Sequence, residues 1–326
     1  MSRKYVVGVD LGGTKIATGL GNMEGDLLAV RIIPTQASLG VDGVIERIYS
    51  TIYDVLEEAG ADIDELYGIG ICSPGPVNPK TGMIALAPNL GWENVPLVQL
   101  IAKEFPVPVF LENDANAAAL GELWFGAGRG VENLLYITVS TGIGGGIVLG
   151  GKIYRGRNFM AGEIGHAIFD ANSPVQCGCG QYGCIETLAS GTAIARIARE
   201  RIQSGEESMI RSMVDNLDEV DVRIIAQAEE KGDKLAKDVL DNAVRNLGLF
   251  IASLLNILDV DRVIIGGGVS KLGSRLFDGI NDVIVKNMAD IPAKNTPIVP
   301  SQTGDNVGIL GAIGLVFESI GYSRVG

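Results

Sequence analysis

The chain has 326 residues, a formal net charge of −13 and a sequence pI of about 4.6, which excludes the basic face that a general nucleic-acid surface needs. Apolar residues make up 47% and charged residues 20%, an ordinary globular composition and not that of a disordered chain. Mean hydropathy is +0.27, yet the longest apolar stretch, Leu247 to Leu258, is broken by Gly248, Ser253 and Asn256 and falls far short of the ~20 residues of a spanning helix. The chain is too long for one small core and suits two lobes. No signal peptide fits the residues around Arg3 and Lys4, so the expected compartment is the cytoplasm, with no membrane partner.

Lys4 to Asp10 is a Val-rich apolar run that predicts a buried strand. Leu11 to Thr14 is a turn, Lys15 to Leu20 a second strand, and Leu27 to Ile33 a third, making a meander. Val44, Ile45, Ile48, Ile52, Val55, Leu56 and Ala59 share one helical face, and Gly60 ends that helix. A strand follows over Gly68 to Cys72, then a loop opened by Ser73-Pro74-Gly75-Pro76, a helix over Leu97 to Phe105 and a strand over Val107 to Glu112. Leu134 to Ser140 and Ile147 to Leu149 are strands joined by the turn Thr141 to Gly146. This repeats the form of Val6 to Ala17, which an internal duplication and the common look of tight hairpins explain equally well. Helices are expected over Thr192 to Arg201, Val220 to Lys231, Lys234 to Leu258, Leu272 to Met288 and Asn306 to Gly321, with strands over Arg262 to Ile265 and near Ile298.

Three glycine-rich turns sit at strand ends: Asp10-Leu11-Gly12-Gly13-Thr14-Lys15, Thr141-Gly142 with the glycines after it, and Gly266-Gly267-Gly268. Glycines let backbone N–H groups approach an anion, and Asp10 suits a magnesium ion held through water. One such turn is weak evidence, but three at strand ends point to a nucleotide site. Glu112-Asn113-Asp114 ends a strand and opens an Ala-rich helix. Asp114 is placed either to cap that helix or to take a proton from a substrate hydroxyl.

His166, the only histidine, precedes Cys177, Cys179 and Cys184. One imidazole and three thiolates form a closed tetrahedral set for structural zinc. Cys72 lies in an apolar strand and reads as a core residue. A zinc loop would fix Glu163 and Glu186, whose carboxylates with Asn113 and Asp114 suit a polyhydroxylated neutral substrate.

In this order, these motifs resemble the ROK family of sugar kinases and repressors over nearly the whole chain. Pro88-Asn89-Leu90-Gly91-Trp92 and Cys184-Ile185-Glu186-Thr187 bring it nearest the bacterial-type ROK glucokinases. The resemblance implies an α/β fold of the actin-like, hexokinase type (ribonuclease H-like), duplicated in two lobes with a cleft between. The smaller lobe would span residues 1–113 plus about 306–326, and the larger, with the zinc loop, 114–305. It implies ATP-dependent phosphorylation of a sugar 6-hydroxyl with Mg²⁺ and a structural Zn²⁺. By position, Asp114 looks like the catalytic base, and Asn89, Asn113, Glu163, His166 and Glu186 like sugar contacts. His166 would serve both zinc and sugar. Asp10, Gly12, Gly13, Thr14 and Lys15, with Thr141 and Gly142, look like the phosphate loops, and Gly267 and Gly268 like the adenosine loop. A homo-oligomer, dimer or tetramer, is expected. The first loop begins ten residues from the start, which leaves no room for the repressors' N-terminal DNA-binding domain. Glucose is the expected substrate, with N-acetylmannosamine, mannose or fructose as alternatives and a non-catalytic sugar-binding regulator as the third reading.

Overall fold

The computed structural model describes residues 3–322; residues 1–2 and 323–326 of the expected smaller lobe lie outside the described residues. The chain opens with the meander β1 (Tyr5–Leu11), β2 (Lys15–Asn22) and β3 (Leu27–Pro34), then α1 (Gly40–Ala59) and β4 (Leu66–Ser73). Three short strands follow, β5 (Val77–Asn78), β6 (Met83–Ala87) and β7 (Trp92–Val95), where the sequence predicts only a loop. Then come α2 (Leu97–Glu104), β8 (Val109–Asn113) and α3 (Asp114–Phe125). The second half runs β9 (Leu134–Val139), β10 (Ile143–Leu149), β11 (Lys152–Ile153), α4 (Glu186–Ala189), α5 (Gly191–Gln203), α6 (Val222–Glu230) and α7 (Lys234–Leu258). It closes with β12 (Arg262–Gly266), α8 (Ser274–Asn287), β13 (Ile298–Pro300) and α9 (Val307–Ile320).

Two five-stranded sheets carry the fold, in the orders β3-β2-β1-β4-β8 and β11-β10-β9-β12-β13. Each is a three-strand meander extended from its first strand by two later strands. In the first sheet β1–β2 and β2–β3 are antiparallel, whereas β1–β4 and β4–β8 are parallel. In the second, β10–β11 is antiparallel and β12–β13 parallel. This repeated order is what a duplication produces, and a chance likeness of hairpins does not. The fold is α/β, with the same strand order in both sheets.

β1 shows why the layers form. Val7, Val9 and Leu11 share a core with Val44, Ile48, Ile52 and Val55 of α1. Val6, one position out of phase, packs with Ile309, Ile313 and Phe317 of α9. Both faces of the strand are therefore covered by helices, and it reads as a continuous apolar run. Helix α1 stops at Gly60, whose φ is 62°. The Ala61 N–H returns to the Leu56 carbonyl at 2.9 Å, a Schellman closure that a left-handed residue permits.

By contact the chain divides into two compact units. The first holds the residues up to Tyr136, Gly146–Gly162 and the chain from Ser301 on; the second holds Ile137–Gly145 and Glu163–Pro300. The return to the first unit is anchored by Glu122 of α3, which is fully buried. Its carboxylate accepts the Ser301 hydroxyl at 2.6 Å, the Thr303 hydroxyl at 2.6 Å, the Thr303 N–H at 3.0 Å and the Ala127 N–H at 2.8 Å.

In the second unit Asp233 caps α7. Its Oδ1 accepts the Ala236 N–H at 2.8 Å, and its Oδ2 accepts the Met209 N–H at 2.6 Å and the Ser208 hydroxyl at 2.9 Å. Burial opposes the charge, but the N–H groups of Ala236 and Met209 outweigh it and hold the carboxyl below its ordinary value. Asp233 therefore adds stability that is complete above its unfolded pKa of ~3.9 and is lost as pH falls through the lower folded value. Asp233→Asn keeps an oxygen for the cap but loses the second acceptor that takes the Met209 N–H, and should cost about 1 kcal/mol at pH 7. Urea titrations should show the gap to wild type closing below about pH 4.

Candidate active site

The first unit brings its candidate residues to the carboxyl ends of three adjacent parallel strands. Asp10, Cys72 and Glu112 are in register across β1, β4 and β8, and Ser73 pairs with Asn113. Asp10 thus lies two strand spacings, ~10 Å, from the strand that delivers Asp114. This edge is where α/β sheets place ligands. The Asp10 loop is braced from behind: the Gly12 N–H donates to the Lys15 carbonyl at 2.9 Å, and the Thr35 hydroxyl donates to the Gly12 carbonyl at 2.6 Å. Asn89, in a short 3₁₀ turn over Pro88–Leu90, lies against Gly13. Burial pushes the Asp10 carboxyl above its ordinary value, with the Cys72 thiol and Lys15 pulling the other way. Burial, with Asp10 and Asp114 adding to it, pushes the Cys72 thiol well up. Cys72 donates to Asp10 Oδ1 at 3.5 Å and is a core thiol, as its apolar strand predicts.

The helix cap differs from one of the two sequence expectations. Asn113, not Asp114, is the N-cap of α3: its Oδ1 accepts the Ala115 N–H at 2.9 Å and the Asn116 N–H at 3.3 Å. Its Nδ2 donates to the Gly75 carbonyl at 3.3 Å. Because β8 runs straight into the helix, the capping position falls on its last residue. Asp114 is the first helical residue, is exposed, and accepts the Ala115 N–H at 2.8 Å.

In the second unit the β9–β10 turn is only Ser140-Thr141-Gly142, closed by the Ser140 N–H donating to the Gly142 carbonyl at 2.9 Å. Gly144 to Gly146, expected in the turn, belong to β10. The next backbone N–H, of Ile143, donates to Glu186 Oε2 at 2.8 Å. A Cβ at position 142 would run into that carboxylate, so the loop rests directly on Glu186. Gly191 donates to the Ser140 carbonyl at 2.7 Å and brings α5 up to the same turn. A cavity of about 590 Å³ opens here, lined among others by Thr141, Thr192, Arg199, Arg223, Gly268 and Lys271. Its size is that of a ligand site, and Arg199, Arg223 and Lys271 line it together with Asp221, which pairs with Arg223 at 2.7 Å. Thr141 and Gly268 were legible as loop residues. Thr192, Arg199, Arg223 and Lys271 carry no motif and were missed.

The cysteine cluster closes on itself. The ligand atoms of His166, Cys177, Cys179 and Cys184 all lie within 4.8 Å of one another. Cys179 Sγ is 3.7 Å from Cys184 Sγ, and Cys177 Sγ is 3.6 Å from His166 Nδ1. A tetrahedral zinc with Zn–S of ~2.3 Å and Zn–N of ~2.0 Å has edges of about 3.8 and 3.5 Å. These two separations match those edges, and the remaining pairs, all within 4.8 Å, need to close by about 1 Å at most. Burial pushes the Cys177 thiol up to about 12 and raises Cys184 as well. Exposed Cys179 is lowered, chiefly by the Gln181 N–H. His166 turns its other nitrogen, Nε2, toward Glu163 Oε2 at 3.9 Å. Cys177 Sγ also lies 3.4 Å from Glu186 Oε1, so one carboxylate touches both the cysteine cluster and the Thr141-Gly142 loop.

Comparison with known proteins agrees with these motifs. A model of the ROK family matches residues 6–319. The glucokinase of Thermotoga maritima is 37% identical over 322 residues, covering 98% of this chain and all of that protein. A putative xylose repressor of a Caldicellulosiruptor species is 32% identical over 97% of this chain and 78% of its own. The crystal structure of a ROK family glucokinase from Streptomyces griseus, in complex with glucose and AMPPNP, is 34% identical. It superposes with a TM-score of 0.78, covering 95% of this chain and 98% of that one. Among the described residues no helix is long and apolar enough to cross a membrane.

Proposed function

The chain belongs to the ROK family, and on that premise we propose that it transfers the γ-phosphoryl group of ATP to the 6-hydroxyl of glucose. The observation that carries this reading is Asp114 at the first position of α3, on the sheet edge that also presents the Asp10 loop. The glucose and AMPPNP bound by the Streptomyces griseus enzyme support the same pair of substrates.

In this reading Asp114 orients the sugar hydroxyl and accepts its proton. The hydroxyl oxygen bonds to the γ-phosphorus as the bond to the β–γ bridging oxygen breaks, and ADP leaves. In a loose phosphoryl-transfer transition state the proton moves late, so the main work of Asp114 is to orient the hydroxyl. Asn89, Asn113, Glu163, His166 and Glu186 contact the sugar. The residues Asp10, Gly12, Gly13, Thr14 and Lys15, with Thr141 and Gly142, hold phosphates, and Gly267 and Gly268 meet the adenosine. Asp10, a single hard oxygen donor of the kind Mg²⁺ accepts, would hold the ion that comes with ATP, which would neutralise charge on the phosphates. His166, Cys177, Cys179 and Cys184 would hold a structural zinc ion. The enzyme acts in the cytoplasm as a homo-oligomer, dimer or tetramer.

A coupled assay with ATP across a panel of hexoses tests the proposal. Glucose should give the highest kcat/KM. A higher value for mannose, fructose or N-acetylmannosamine would change the substrate but keep the chemistry. Glucose binding with no ADP release from folded protein would sink the kinase reading in favour of a regulator.

A further inference from the structure

Glu112 sits two residues before Asp114 and is 1% exposed. A carboxylate that far from water is costly unless it is paired and fully hydrogen-bonded. Its Oε1 accepts the backbone N–H of Asn113 at 3.0 Å and the Asn116 side-chain amide at 3.1 Å. Its Oε2 accepts Arg155 Nε at 2.6 Å. The same guanidinium donates through its terminal nitrogen to Glu318 Oε2 at 2.7 Å, and Glu318 Oε1 accepts the Ile153 N–H at 2.8 Å. Among the described residues Arg155 is the cation paired with Glu112. Burial works against its charge, and Glu112 and Glu318 together outweigh this and raise its pKa.

Glu112 grips both sides of Asp114. One bond holds the peptide N–H of Asn113 just before it, and another holds Asn116 in the turn just after it. Asn113 in turn caps α3 through the N–H groups of Ala115 and Asn116. The backbone that aims Asp114 is thus tied on each side to one buried carboxylate. Arg155, a quarter exposed, fixes that carboxylate through Nε, and Glu318 on α9 fixes Arg155. A planar fork is needed to meet two carboxylates through two different nitrogens, which an ammonium cannot imitate.

We infer that Arg155 is a positioning residue for phosphoryl transfer, acting through Glu112 to hold the Asn113 N–H and the Asn116 side chain on either side of Asp114. The inference rests on Asp114 as the base. A misplacement of about 1 Å at a reacting group costs on the order of 10²-fold in rate, while substrate contacts made elsewhere are untouched.

The test is a double-mutant cycle on the full chain with Arg155→Met, Glu112→Gln and the pair. Each variant is checked for folding by circular dichroism, and kcat is resolved from KM for glucose and ATP. Each single substitution should lower kcat by about 10- to 100-fold with both KM values within about threefold. The pair should be no worse than the worse single, because the two act as one unit. Arg155→Lys keeps the charge without the fork and should recover only part of the rate. A folded Arg155→Met enzyme with kcat within twofold of wild type overturns the inference. So does a loss carried wholly in KM, or single effects that multiply in the pair. If Arg155→Met does not fold, Arg155→Lys carries the same criterion. Asp114→Asn, measured alongside, separates the failures. An inactive Asp114→Asn beside a fully active Arg155→Met overturns this inference alone. An active Asp114→Asn overturns the base assignment and this inference with it.

Discussion

Asp114→Asn should reduce kcat by roughly 10²–10⁴-fold or more while glucose still binds. The substitution is nearly isosteric and removes the negative charge, and with it the capacity to take a proton. The contact that Asp114 makes with the Ala115 N–H at 2.8 Å survives, because an amide oxygen accepts that bond equally well. The cap of α3 also survives, because it belongs to Asn113. Folding should therefore be preserved, and a loss of turnover would report chemistry. The check is a coupled assay for turnover beside calorimetric titration with glucose. Turnover within tenfold of wild type in a folded variant would remove Asp114 as the base.

What the sequence reveals, and what it hides, follows from the range over which each signal acts. The strands and helices of the meanders show through local periodicity, and α7 was legible to both ends because an apolar stripe runs from Leu235 to Leu255 after the Asp233 cap. The sheet β5-β6-β7 was not, because strands of two to five residues among prolines and glycines carry too few alternations. Gly144 to Gly146 looked like a turn because glycine there was read as flexibility. At Gly146 it serves space instead, since a Cβ would meet Ala119 and the Asn116 backbone of α3. The candidate site divides in the same way. The Asp10 loop, the Asn113–Asp114 pair, the Thr141 turn and the cysteine cluster each keep their residues close together in the chain. The Glu112–Arg155–Glu318 network does not: its members are 43 and 163 residues apart, and no spacing rule joins them. The cations of the 590 Å³ cavity come from separate segments as well.

One zinc per chain should be found in freshly purified protein, and losing it should cost both stability and sugar affinity. The geometry sets the expected size of the effect. Cys177 and Glu186 lie within nine residues, and Cys177 Sγ is 3.4 Å from the Glu186 carboxylate. That carboxylate also holds the Ile143 N–H beneath the Thr141-Gly142 turn. A metal joining His166 to the three cysteines would draw the protons off thiols that burial otherwise raises. It would also fix the segment that carries Glu186 and, through His166, the turn that carries Glu163. Cys179→Ala removes the exposed ligand and leaves the buried packing of Cys177 and Cys184 in place. A loss of activity here would therefore report the metal and not a cavity in the core. Disturbing the partners of a metal ligand typically costs 10–100-fold in metal affinity or activity, so losing a ligand should cost at least that much in zinc affinity, and glucose affinity should fall with it. Thermal unfolding should move to lower temperature in Cys179→Ala, and a zinc chelator should give wild type the same lowered transition. Metal analysis that finds no zinc in fully active wild-type protein would refute the zinc site. Chelation that removes zinc but leaves glucose affinity unchanged would refute its link to Glu163 and Glu186.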